Sequence, residues 1–368
     1  MLLYINGNYP YHSLHSELIQ KLAELGNEII VFVPVKGKNQ GTSYPCNHPT
    51  VKIIYNDCLN NFDRIFFLSK TKKIANIIER QVDLSKVDCI LAGTVYSDGV
   101  VAYQLHKRHN IPFSVAVRET DVTYQMRFRP YLNGLIRRLL NQTTKIIFLS
   151  PTYKKHFTKF GVNQSKFMVI PNAVNDYWFQ YQRQEKILHN PISLIFVGEI
   201  SKRKNVTTVI RAIAELNRKG TRTEFHIIGS GTEENECRSL VAKLNIQRQV
   251  YFHGWQNGKE KIKEFYDHSD IFIMLSHRET FGTVYIEALS QGIPLIYTRG
   301  QGIDGYFKEG EIGYSCNPTD VNEIADKISL IIDNYNRTSK QCYQQSSRFK
   351  WDIVANQYNN IISDMRGQ

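Results

Sequence analysis

The sequence predicts an α/β protein built from two Rossmann-like, doubly wound domains, and three observations carry that prediction. The 368 residues exceed one ordinary domain and suit two. Short apolar runs alternate with segments of helical period along nearly the whole chain, the pattern of parallel strands joined by right-handed crossovers. After Pro171 that rhythm lapses into Asn-Asp-Tyr-Trp-Phe-Gln-Tyr-Gln-Arg-Gln, and then the alternation begins again. Ligands of such folds bind beyond the carboxyl ends of the strands, so two domains imply a cleft between them.

In the first half, residues 2–5, 29–33, 89–92, 113–117 and 146–149 are short apolar runs that read as buried strands. Residues 13–25 have helical period, with Ser13 at the start and Gly26 in the place of a C-terminal cap. These elements form a first domain over 1–172, followed by a linker over 173–190. The second series predicts strands at 192–197, 224–228, 250–253, 271–275 and 294–297. Its helices fall at 206–217, 233–244 and 284–291, giving a second domain over 191–349. A last helix, 351–365 within 350–368, carries Trp351, Val354, Ala355, Tyr358, Ile361 and Ile362 on one stripe and must dock somewhere.

Composition narrows the class. A 42% hydrophobic and 22% charged chain is that of a folded globular protein. No run approaches the roughly 18 apolar residues that cross a bilayer, and the opening residues read as a buried strand, not a signal peptide. Six scattered cysteines without a Cys-x-x-Cys pair point to reduced thiols and a cytoplasmic location. The net charge is +12, and residues 1–175 hold 22 Lys and Arg against 11 Asp and Glu, so almost all the excess lies in the first half. Two basic amphipathic stretches, 64–80 and 127–140, belong to it. They suit peripheral contact with the anionic inner face of a membrane or with a lipid diphosphate, or else they are ordinary solvated helix faces.

The richest segment is Ser276-His277-Arg278-Glu279-Thr280-Phe281-Gly282-Thr283-Val284-Tyr285-Ile286-Glu287-Ala288-Leu289. A strand ends at its start, a loop carries Glu279, and a helix with Thr283 as its N-cap carries Glu287 one turn in. Free backbone N–H groups near Phe281, Gly282 and Thr283 suit a phosphate. A sugar donor needs this equipment: one carboxylate for ribose hydroxyls, a second for sugar hydroxyls, and amides and cations for the departing diphosphate. Lys202-Arg203-Lys204 precedes the helix at 206, so charge and helix dipole point together at an anion.

The spacing Glu279, seven residues, Glu287 within E-x-F-G-x-x-x-x-E-A resembles the signature of retaining glycosyltransferase family four, of GT-B architecture. The chain is similar to that family elsewhere too. Its second domain carries Phe196-Val197-Gly198-Glu199-Ile200-Ser201-Lys202-Arg203-Lys204, Ile227-Ile228-Gly229-Ser230-Gly231, Val250-Tyr251-Phe252-His253-Gly254 and Arg299-Gly300-Gln301-Gly302-Ile303-Asp304, and Ile170-Pro171-Asn172-Ala173-Val174 resembles the family hinge. The resemblance implies two domains facing a cleft, with the C-terminal helix crossing back to the first. It implies Glu287 on the ribose, Glu279 on the donor sugar and Lys204 on the diphosphate. Gly254 would border the base, and Gly302 and Ile303 would lie at the phosphates. Glu199 departs from the family's usual Arg, and Arg203 is the candidate substitute. Gly7 is the single glycine where the family often has a pair, and Arg118 stands where it commonly has His. Arg118 can hold a phosphate or hydroxyl but cannot act as a base near neutral pH. His12, His15 and His277 read as hydrogen-bonded structural residues.

The resemblance therefore implies a nucleoside-diphosphate sugar as co-substrate, UDP-linked by family habit, with a glycan or lipid-linked acceptor and no metal or other cofactor. Retention would follow from front-face attack, the leaving phosphate taking the acceptor's proton. A sugar-nucleotide epimerase of the same architecture is a second enzymatic reading, separable by incubating UDP-GlcNAc without acceptor. A basic nucleic-acid-binding or scaffold protein is the non-enzymatic reading, but no nucleic-acid motif accompanies the charge, and no nucleic-acid partner is expected.

Overall fold

The computed structural model describes residues 1–11, 13–37, 45–180 and 186–367. His12 and part of the expected linker lie outside the described residues. The chain divides into two compact units: unit 1 is Met1–Leu149, Tyr153–Ala173 and the C-terminal segment from Trp351, and unit 2 is Ser150–Thr152 and Val174–Lys350.

Unit 1 holds a seven-stranded parallel sheet. Its strands are β1 (Leu2–Ile5), β2 (Ile29–Val35), β3 (Val51–Asp57), β4 (Cys89–Ala92), β5 (Phe113–Val117), β6 (Ile146–Phe148) and β7 (Phe167–Val169), in the order β3-β2-β1-β4-β5-β6-β7. Unit 2 holds a six-stranded parallel sheet of β8 (Ile192–Val197), β9 (Thr223–Ile228), β10 (Val250–Gly254), β11 (Ile271–Met274), β12 (Leu295–Thr298) and β13 (Gly313–Cys316), in the order β10-β9-β8-β11-β12-β13. The strand order reverses at β1/β4 in the first sheet and at β8/β11 in the second, which is where crevices open in doubly wound folds.

The central strands are buried on both faces because helices cover both, so their sequences are apolar without alternation. In unit 1 one face packs Ile74, Ile78, Val100, Leu139 and Phe157 against Leu3, Ile5 and Phe32. The other face packs Leu18, Ile19 and Leu22 together with Trp351, Val354, Tyr358, Ile361, Ile362 and Met365 of the helix Trp351–Arg366. The apolar stripe at the end of the chain thus finds its partner in unit 1, where Lys21 meets Asp352 at 3.3 Å and the Trp351 indole donates to Glu17 at 2.7 Å.

The stretch expected to be a linker is packed on unit 2 where it is described. Trp178 is buried in that core, Lys186 donates to the carbonyls of Tyr266 (2.5 Å) and Ser269 (2.7 Å), and His189 bonds Asp270 at 2.7 Å. Its polar composition hid these anchors. The two basic stretches resolve as the helix Phe67–Gln81, led by a turn at Asn61–Arg64, and as a broken segment of Met126–Phe128, a turn and Asn133–Gln142.

Candidate functional site

In unit 2 the loops after β8 and β11, neighbours at the reversal of strand order, bring three predicted residues together. The first loop leaves β8 at Gly198 and turns so that the Lys204 N–H bonds the Ser201 carbonyl at 2.8 Å. Asn205 then adopts a left-handed conformation (φ 56), held by its amide on the carbonyls of Leu275 (3.2 Å) and Pro318 (2.7 Å). Asparagine tolerates that backbone better than most residues. The following helix, Val206–Arg218, has no side-chain cap, so its first turn keeps amides available for an anion.

Lys204 Nζ lies 2.7 Å from Glu279 Oε2 and 3.2 Å from Met274 Sδ. Arg203 Nη1 stands 3.6 Å from the same carboxylate oxygen and donates to the Arg278 carbonyl at 3.1 Å. Glu199 is exposed, so Arg203 is the second cation of this loop that reaches the cluster. Glu279 is also fixed through its backbone: its N–H donates to Gln301 Oε1 (3.2 Å) and its carbonyl accepts from Gly302 (3.1 Å). The glycine loop after β12 is thereby stitched to the Glu279 loop. Gly302 has φ 55, and a Cβ there would sit 3.0 Å from the Phe281 carbonyl, so a side chain would be strained and glycine is favoured.

The helix bearing Glu287 is Thr283–Ser290, and its cap differs from expectation. Gly282, left-handed at φ 79, occupies the N-cap position, Thr283 is the first helical residue, and no side chain caps the turn. The cause is the short loop, which must reverse direction within Phe281–Gly282. Phe281 and Ile303 are core side chains, so only their backbone could face a ligand. Tyr285 donates to the Met274 carbonyl at 2.6 Å and pins this helix to β11.

Glu287 differs from Glu279. Among the described residues no side chain hydrogen-bonds its carboxylate. Burial pushes its pKa up to about 7, with Lys259 pulling weakly the other way. An unpaired, desolvated carboxylate at a strand-end crevice is a costly arrangement that suits a ligand supplying hydroxyl donors. Gly254 ends β10 with φ 68, and its carbonyl accepts from Gly229 at 2.8 Å, joining the glycine turns after β9 and β10. Among the described residues no cluster of three or more His, Cys, Asp or Glu could hold a metal ion.

Gly7 and Arg118 belong to unit 1. Gly7 follows β1, and its N–H lies 3.4 Å from Asp98 Oδ1 at the wall of a cavity of that unit. Arg118 follows β5, and its Nε donates to the Gly93 carbonyl at 3.0 Å. His15 is buried against the Tyr4 hydroxyl at 3.1 Å, and His277 is exposed. Sequence reasoning missed Gln301, Met274, Tyr285 and Lys259. The first three act through contacts with no local signal, and Lys259 sits in a charged Lys-Glu-Lys run that reads as a solvated helix start.

Comparison with known proteins agrees with this architecture. Residues 179–348 match the family described as glycosyl transferases group 1, and residues 16–177 match glycosyltransferase family 4. The N-acetyl-alpha-D-glucosaminyl L-malate synthase of Bacillus anthracis is 24% identical over 95% of this chain and 92% of its own. The alpha-monoglucosyldiacylglycerol synthase of Acholeplasma laidlawii is 23% identical over 82% and 79%. The structure of Anabaena HepE in complex with UDP superposes with a TM-score of 0.74 over 99% of both chains, at 16% identity. With two parallel sheets of this topology and the two family matches covering nearly its whole length, the chain belongs to the family-four type of glycosyltransferases, of GT-B fold.

Proposed function

We propose that the protein transfers a sugar from a UDP-sugar to a glycan or lipid-linked acceptor, with retention of anomeric configuration and without a metal ion, in the synthesis of a surface polysaccharide or glycoconjugate. The observation that carries the reading is the convergence of Lys204, Arg203 and Glu279 at the β8/β11 reversal. Lys204 and Arg203, with the uncapped helix behind them, would take the charge that develops on the leaving diphosphate and so do the work of a divalent cation. Glu279 would orient the sugar hydroxyls, and Glu287 the ribose. The HepE complex with UDP and the lipid named in the Acholeplasma relative support the choice of donor and acceptor class. The proposed setting is the cytoplasmic face of a membrane. The basic excess of the first half supports it, and among the described residues no helix is long and apolar enough to cross a bilayer.

The test separates the two glutamates. Ribose binding is shared by ground and transition states, so Glu287→Ala should cost about 1.5–3 kcal/mol of binding, roughly ten- to hundredfold in affinity for UDP. Glu279→Ala should lower kcat and leave UDP affinity nearly unchanged, because free UDP carries no sugar to miss the contact. Calorimetric titration of both variants with UDP beside steady-state kinetics decides it. Equal weakening of UDP by both substitutions would refute this division of roles.

A further inference from the structure

Unit 2 carries two histidines bonded to each other, a pairing in which the proposed roles of Lys204, Glu279 and Glu287 have no part. His226 lies on β9 and His253 on β10, and His226 Nδ1 stands 3.0 Å from His253 Nε2. The pair sits at a bulge: Phe252 lies opposite Ile227 and Gly254 opposite Ile228, so His253 is the extra residue of its strand. A bulge re-aims a side chain where a strand gives way to a loop.

Aromatic rings enclose the two imidazoles. Tyr251 stacks on His226 with centroids 5.1 Å apart and planes 13° apart, and Phe265 of the helix Lys259–Asp267 lies 4.6 Å from His253. Burial, and then the charge of His253, push the His226 pKa down to about 4, and burial lowers that of His253 as well. The pair is therefore uncharged at neutral pH, and a bond between two neutral imidazoles needs one donor and one acceptor. With the His226 proton on Nε2, which faces Glu224 Oε2 at 3.8 Å, Nδ1 accepts from His253 Nε2–H.

This bond fixes the start of a loop that is itself tied together. The His253 carbonyl accepts from Gln256 Nε2 at 2.7 Å, the Gly254 carbonyl accepts from Gly229 at 2.8 Å, and the Trp255 indole donates to Asn257 Oδ1 at 2.7 Å. Gly254 (φ 68) and Gly258 (φ 95) make its two bends. The chain then enters the helix at Lys259, whose charge reaches the buried Glu287. The ring stack grips both ends of the loop, His253 before it and Phe265 after it.

We infer that His226 and His253 are positioning residues for the donor: their shared hydrogen bond holds residues 254–258 in the shape that receives the nucleobase. Neither ring need touch the nucleotide. A loop already ordered loses less freedom when a ligand binds, so the pair strengthens donor binding without taking part in transfer. The inference rests on the glycosyltransferase reading, in which Gly254 borders the base.

His253→Phe keeps a ring against Phe265 and removes the hydrogen bond. It should weaken UDP binding about three- to tenfold, the worth of one neutral hydrogen bond, and leave kcat at saturating donor unchanged. His253→Gln should bring UDP affinity back to within about twofold of wild type, because its amide can donate in place of Nε2–H. His226→Phe, which keeps a ring on Tyr251, should repeat the loss and serves if His253→Phe does not fold. Isotopic labelling of the indole nitrogens gives one NMR signal for each of the three tryptophans. In the Phe variants, read without nucleotide, the signal of the exposed Trp255 should shift or broaden. Trp178 and Trp351 are buried, and their signals should stay in place and report an intact fold. An unmoved Trp255 signal, or movement of all three, would overturn the proposal. So would UDP affinity equal to wild type in the Phe variants, or no recovery in His253→Gln. A moved Trp255 signal in a protein whose wild type ignores UDP sinks the donor assignment instead.

Discussion

Glu287 and Glu279 show how neighbours assign two carboxylates different tasks. Glu287 has a pKa raised from 4.5 to about 7 by burial. A raised acid favours the protonated form in the folded state, so its contribution to stability is present below pH 4.5 and is lost as pH rises to 7. Above pH 7 the ionised group costs stability, and Glu287→Gln should recover about 1–3 kcal/mol of it, after discounting for its partial exposure. The same substitution should weaken UDP binding. It should also flatten the fall in UDP affinity that wild type shows as pH drops below 7. Thermal melting at pH 8 and UDP titrations at pH 6 and 8 check both halves, and a variant that melts lower than wild type would contradict the burial argument. Glu279 is held by Lys204 instead, and that pairing has a functional price. Under the proposed roles, free UDP must draw Lys204 away from Glu279 and cost it its 2.7 Å partner, whereas a UDP-sugar offers Glu279 hydroxyls in exchange. The ion pair therefore favours the complete donor and would help expel UDP once the sugar has gone.

At the scale of elements, the site is a set of strand-end turns packed too closely for side chains. A Cβ on Gly229 (φ 137) would run into the Gly198 carbonyl, and one on Gly231 would run into the Ile200 carbonyl. Gly229→Ala should therefore cost about 2–4 kcal/mol of stability by overpacking and backbone strain, read as a lowered denaturation midpoint. A change below about 0.5 kcal/mol would show that the two turns can separate. These turns were legible because a glycine follows an unbroken apolar run. So were β1, β4, β5, β8, β11 and β12, whose burial on both faces leaves them mostly apolar. β3, β7 and β13 were not: β3 and β7 are edge strands of partial exposure, and Gly313–Cys316 reads Gly-Tyr-Ser-Cys, with no apolar run to notice. The Glu279 and Glu287 turn was legible as a pattern. The cap at Gly282, the Gln301 stitch and the unit 1 cavity depend on residues distant in the chain, which no local periodicity reports.

At the scale of the molecule, the absence of an acidic metal motif and the cationic loop at Lys204 lead to one expectation. Transfer activity should persist in excess EDTA, and loss that Mg²⁺ or Mn²⁺ restores would refute it. A second concerns the last helix. Ile362 is fully buried on the unit 1 sheet, so Ile362→Ala should cost about 2–5 kcal/mol of unit 1 stability while UDP binding by unit 2 survives. Chemical denaturation followed beside UDP titration checks this, and a uniform loss of both would contradict the separation. That helix also has a consequence for how the chain is made. Leu2, Tyr4, Leu18 and Ile19 are made well before their covering side chains at 351–365, with nearly all of unit 2 lying between them in the chain. Unit 2 has all its strands and helices in hand by Lys350 and can fold while one face of the unit 1 sheet still lacks part of its cover. Unit 1 is thus completed only after unit 2, and during that interval its uncovered apolar face is open to water.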